Sequence, residues 1–151
     1  MAAVLGALLP GAFAEDGSEP TAVRSALARS DKVQGAPGRT MVLSRVVVER
    51  GAKLALHRHL GTQISRVASG TLTYTVRKGS ASVNEGDAEK EPRRVRTIAA
   101  GQTARIKAGQ WLVEQPSDVH EAANRGGTPV VIYLATLLKS AAPPATSVTL
   151  P

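Results

Sequence analysis

Cysteine is absent from the 151 residues, which excludes a disulfide framework, a thiolate metal site and a thiol nucleophile. A chain without thiols suits oxidising and reducing surroundings equally, so this absence leaves the compartment open. Aromatic residues make up 3% of the chain, one Trp, two Tyr and one Phe, too few for a surface that stacks nucleic-acid bases. No apolar run approaches the about 20 residues of a membrane-spanning helix. The glycine-rich phosphate patterns GxGxxG and GxxxxGK[ST] are both missing, and no serine triad is visible,.

What is present points to one β-rich domain. The length suits a single core, and 14 Gly, 9 Pro and short runs of Val and Thr favour many strands joined by turns,. The formal charge of +7 and pI near 10.4 are spread singly along the chain. In the densest cluster, Lys90, Arg93, Arg94 and Arg96 alternate with Glu85, Asp87, Glu89 and Glu91. That is a mixed, solvated loop and not a phosphate track, so no nucleic-acid partner is expected; the excess charge suits small anionic molecules or an acidic envelope surface.

Residues 1–14, MAAVLGALLPGAFA, form an apolar segment ending in Ala12-Phe13-Ala14 and followed by acidic EDGSEP. The pattern predicts a secretory signal, hence export to a periplasmic or extracellular location, although no Lys or Arg follows Met1 and Pro10 interrupts the run. An apolar N-terminal arm on a cytoplasmic protein is the competing reading. The expected organisation is a signal peptide at 1–14, a linker at 15–19, a β domain at 20–138 and a flexible, proline-containing tail at 139–151 that either drapes over the domain or dangles. Within the domain, nine or ten strands are predicted, with glycine or proline at nearly every joint. The stretch 79–92 is expected to be a polar, mobile excursion.

The segment 51–70, GAKLALHRHLGTQISRVASG, carries the chemistry. On a strand, successive side chains point to opposite faces, so Ala55, His57 and His59 share one face and Leu54, Leu56 and Arg58 the other. The two imidazoles are then about 6 to 7 Å apart at their bases, close enough for both rings to reach one ion at about 2.1 Å. Gln63 follows after a turn at 60–62, and His120, the last of three histidines, stands behind the turn Pro116-Ser117-Asp118.

Gly51, His57, His59, Gln63 and Gly70 match in spacing the first motif of the cupin superfamily, with Gln63 where the motif has an acid. Gly109, Pro116, His120 and Asn124 resemble the second motif, more loosely, because Asp118 replaces the usual turn glycine and the spacing around Pro116 is shifted by one. The chain thus resembles a small single-domain cupin over residues 20–138. The resemblance implies an all-β, single jelly-roll barrel of antiparallel strands, a metal in its mouth and a frequent habit of forming homodimers. It also implies a divalent metal held by His57, His59, His120 and Gln63, with iron, manganese, nickel, copper and zinc all compatible.

A neutral amide in place of the carboxylate would leave the ion with nearly its full charge, making it a stronger Lewis acid at some cost in affinity. Gln63 either ligates through its oxygen or hydrogen-bonds a bound water, and restoring a negative ligand by Gln63→Glu is expected to strengthen metal retention. A decayed site is the alternative. Glu114, Asp118 and Glu121 lie near His120 in sequence and could supply charge or a base, but carboxylates facing water are commoner. Trp111 and Tyr74 could line the pocket, with core packing the commoner role for each, as for Tyr133. Two classes of function follow: a dioxygenase- or isomerase-like metal enzyme acting on a small oxygen-rich anion, or a noncatalytic module binding a small ligand or the metal itself.

Overall fold

The computed structural model describes residues 19–87 and 89–150, so the expected signal peptide lies outside the described residues. Twelve strands and no helix are found among them: β1 (Ala22–Ser30), β2 (Arg39–Val48), β3 (Lys53–Arg58), β4 (Gly61–Ser69), β5 (Thr71–Lys78), β6 (Ser80–Glu85), β7 (Arg93–Ala99), β8 (Thr103–Lys107), β9 (Trp111–Glu114), β10 (Val119–Ala123), β11 (Val130–Lys139) and β12 (Thr146–Ser147). A seven-stranded sheet in the order β1-β2-β11-β4-β9-β6-β7 and a five-stranded sheet in the order β12-β3-β10-β5-β8 make up the all-β jelly roll. Each recorded strand pair is antiparallel. No strand is shared between the two sheets, so the walls of the jelly roll meet by packing and not by a continuous hydrogen-bonded seam.

Period-two patterning makes the core. β5 turns Leu72, Tyr74 and Val76 inward, β11 turns Val130, Ile132 and Leu134 inward, and Val46, Leu112 and Ile106 fill the space between the sheets,. Along β4 the inward positions change from Val67 to the polar Ser65 and Gln63, and Thr136 of β11, inward between Leu134 and Leu138, pairs with Gln63 at the same level. Polar inward positions at one end of an apolar core mark where the site is built.

Gly61 lets β4 and β11 approach closely, since a Cβ there would lie 2.0 Å from the carbonyl oxygen of Leu137,. Asn124, 1% exposed, joins the two ends of the motif region. Its Nδ2 donates to the carbonyls of Val48 at 2.9 Å and Thr128 at 2.8 Å, while its Oδ1 accepts from the Gly126 amide at 2.9 Å. Its backbone also exchanges hydrogen bonds with Gly51 and Ala52. Asn124→Ala strands these buried groups and should cost about 2 kcal/mol, a fall of roughly 4–8 °C in thermal midpoint. Thermal unfolding checks this, with metal content unchanged because Asn124 does not face the histidines.

One expectation is corrected. Within the stretch 79–92, residues 80–85 form β6, because Ala81 and Val83 alternate inward at 0% exposure and the strand pairs with both β7 and β9. Of the two fates open to the tail 139–151, its described part lies on the domain. Thr146 and Ser147 add β12 to the edge of β3, and Val148 N donates to the Leu56 carbonyl at 3.1 Å. An unpaired β3 edge beside the cavity, not tail hydrophobicity, is what holds this segment.

Candidate metal centre

His57, His59 and His120 converge at the polar end of the core. Their ligand nitrogens lie within 4.8 Å of one another, and their ring centroids are 4.4 to 5.2 Å apart. Alternation places Ala55, His57 and His59 on one face, and all three line the cavity,; Leu54 is the exception. Both Leu54 and His57 line the cavity, although three residues apart on one strand they should face opposite ways. A β-bulge resolves the conflict: between the pairs His120↔His57 and Ala122↔Leu54, β3 has two residues, Ala55 and Leu56, against one on β10,. A second register shift, between Val119 and His120 where β10 meets β5, brings His120 inward next to the equally buried Val119.

Backbone carbonyls set the tautomers of two of the rings. His57 Nδ1 lies 2.6 Å from the Ala55 carbonyl, and His59 Nδ1 lies 2.6 Å from the Pro144 carbonyl. A carbonyl only accepts, so each Nδ1 carries the proton and each Nε2 presents its lone pair, the orientation that a ligating histidine needs. Burial lowers the pKa of His57, and it lowers that of His120 to about 4 against the opposing pull of Glu114, so both rings are neutral at pH 7,. His120 stacks on Tyr74 at 5.0 Å between ring centroids. Its Nδ1 is buried with no hydrogen-bond partner.

Gln63 stands beside the histidines but turns the other way. Its Oε1 accepts from Thr136 Oγ1 at 2.8 Å, and its Nε2, which has no lone pair for a metal, lies 3.1 Å from His59 Nε2. The same amide nitrogen is 2.6 Å from Glu114 Oε2 and 3.1 Å from Ser65 Oγ. Two N–H groups face three acceptors. Occupation of the His59 lone pair by an ion would therefore leave Gln63 fully hydrogen-bonded to Glu114 and Ser65.

The missing acid is one strand away. Glu114 on β9 pairs in register with Gln63 on β4, is 2% exposed, and sets its carboxylate oxygens 3.4 Å from His120 Nε2 and 3.9 Å from His59 Nε2. Tyr74 Oη and Ser65 Oγ donate to it at 2.8 and 2.7 Å. Burial would raise its pKa, but the histidines and the donors Ser65 and Gln63 outweigh that and hold it at about 2,. The same carboxylate and burial push the Tyr74 phenol up. Glu114 had a signal in the sequence: in WLVE the buried Leu112 fixes the inward phase, and Glu114 shares it.

The other candidates face away. Glu121 pairs with Arg77 at 2.6 Å on the outer surface. Asp118 caps its turn, accepting from the Gln115 and Ser80 amides at 2.7 and 3.3 Å. Trp111 is half-buried, with the Arg66 guanidinium 5.8 Å from its ring centroid, and Tyr133 is 41% exposed. Among the described Trp and Tyr residues, Tyr74 alone lines the cavity, which measures about 270 Å³ and is otherwise walled mainly by Leu54, Leu72, Ile132 and Leu134.

No protein-family model matches this chain, and no curated protein matches it in sequence. Solved structures resemble it in fold. A cupin 2 domain-containing protein from Halorhodospira halophila aligns at a TM-score of 0.55 with 15% identity, over 89% of this chain and 76% of that one. The Cnp3 cupin domain of Schizosaccharomyces pombe aligns at 0.54 with 12% identity, over 81% and 69%. KdgF from a Halomonas species aligns at 0.51 with 19% identity, over 78% and 82%.

Proposed function

We propose that this chain, which has the cupin fold, is an exported metal-dependent cupin: His57, His59 and His120 hold a divalent first-row ion, Glu114 supplies the negative charge, and the adjoining cavity takes a small oxygen-rich anion. The observation that carries this reading is the convergence of three buried or half-buried imidazoles on one point, two of them tautomerically set to offer Nε2, beside an ionised buried carboxylate. The donor set fits such an ion: three neutral nitrogens and one oxygen anion leave a net charge of about +1 on a divalent centre, and the buried, partnerless His120 Nδ1 marks a polar group whose bonding is incomplete,. When bound, the ion would polarise ligand oxygens as a Lewis acid.

The chain's own residues exclude water and orient the ligand. Leu54, Leu72, Ile132 and Leu134 form dry walls, so a ligand with an apolar body is favoured over a heavily hydroxylated one. Tyr74, Ser65 and Gln63 fix Glu114 in its ionised state, and the high pKa of Tyr74 keeps its proton on the phenol. With its carboxylate committed in this way, the cavity is better suited to oxygenase-type chemistry than to an isomerisation that needs a free protein base. The same saturation of Glu114 favours the second reading, a binding module without turnover.

Elemental analysis of protein from its native compartment tests the proposal. One equivalent of a first-row metal is expected in the wild type, and His57→Ala should lose it, with affinity reduced by about 100-fold or more. A metal-free wild type that also fails to take up zinc, iron or manganese in titration would overturn the reading.

A further inference from the structure

One charged residue of the cavity wall has no partner among the described residues. Arg24 on β1 is half-buried, sits opposite the inward-facing Val46 of β2, and lines the cavity that holds the three histidines. It also lines a neighbouring hollow of about 170 Å³ formed with Thr136, Leu138 and Lys139. Among the described residues, the arginines in ion pairs are Arg29, Arg77 and Arg93, bound to Asp31, Glu121 and Glu85; no hydrogen bond or ion pair engages Arg24. The one acid in the wall of the histidine cavity is Glu114, whose oxygens are already taken by Tyr74, Ser65 and Gln63. The adjoining hollow has no acid in its wall.

A guanidinium drawn out of water without an acceptor is costly, and its planar fork matches a carboxylate. We infer that Arg24 reads the carboxylate of the cavity's ligand, so that the site takes a small monocarboxylate with an apolar body in preference to its neutral analogue. Burial lowers the pKa of Arg24 while the charge of Glu114 raises it, and an anion seated on the guanidinium would offset that desolvation. The inference deepens the proposed function by naming the ligand class, and rests on that reading only for the histidine end of the cavity.

Calorimetric titration of hexanoate and hexanamide into the zinc-loaded full chain tests it, with Arg24→Gln, Arg24→Lys and His57→Ala beside the wild type. Hexanoate should bind wild type at least about tenfold more tightly than Arg24→Gln, with Arg24→Lys between them, and hexanamide should bind wild type and Arg24→Gln alike. Arg24→Gln should melt with the wild type, since no partner among the described residues is lost. The preference for hexanoate over hexanamide should survive in His57→Ala, which has no intact metal centre. Equal hexanoate affinity in wild type and Arg24→Gln, or no hexanoate binding to wild type, overturns the assignment of Arg24. If zinc still binds stoichiometrically in that case, the metal centre stands; absence of zinc with the hexanoate preference intact supports Arg24 and sinks the metal centre alone.

Discussion

Glu114→Gln is expected to lower metal affinity by about 100-fold or more, read by competition with a chelator of known affinity. The substitution removes the one negative charge among the groups around the histidines and faces a new amide against the amide of Gln63, whose Nε2 now donates to Glu114 Oε2 at 2.6 Å. The single variant Gln63→Glu should not strengthen retention, contrary to what the sequence alone suggested. It would set a second carboxylate against Glu114 in a site where both positions are 2 to 3% exposed, and two buried like charges at that distance must share a proton. The double variant Gln63→Glu/Glu114→Gln exchanges acid and amide across one ladder pair and should recover affinity to within about tenfold of wild type, a coupling that single substitutions cannot mimic. Unchanged affinity in Glu114→Gln would remove this carboxylate from the centre.

Metal-free protein should lose about 3 kcal/mol of stability between pH 7 and pH 4. His120 titrates near 6.5 when unfolded and at about 4 when folded. Between those values the unfolded chain binds a proton that the folded chain refuses, so the stability present above pH 6.5 drains away as pH falls toward 4. His57, whose pKa is also lowered by burial, acts in the same direction. Glu114, depressed from 4.5 to about 2, contributes stability that is complete above pH 4.5 and continues the decline below it. Urea unfolding at several pH values checks the slope. His120→Gln should flatten it between pH 6.5 and 4, and bound metal should move the fall to lower pH, since protons and metal compete for the same nitrogens. A stability independent of pH over that range in the metal-free wild type would contradict the burial of a neutral His120.

Much of the architecture was legible because local chemistry repeats along the chain. Val46 and Val48 in β2, Leu72, Tyr74 and Val76 in β5, and Val130, Ile132 and Leu134 in β11 announce their strands by alternation. β6 was obscured because only Ala81 and Val83 are apolar among polar neighbours, and two residues are too short a pattern to separate a strand from a loop. β12 carries no pattern of its own; it exists because β3 offers an edge.

By itself, the order of residues determined that histidines at 57, 59 and 120 occur in a β-rich chain with no cysteine, at spacings resembling cupin motifs. It also determined that an amide stands at 63. Tertiary structure decided the rest. Only cross-strand register sets Glu114 beside Gln63, 51 positions apart, and only a bulge in β3 brings Leu54 into the same space as His57. Likewise the Pro144 carbonyl reaches His59 across a separation of 85 positions. Alternation is a property of neighbours along one strand, whereas register, bulges and edge pairing arise between strands, where no local pattern carries the information.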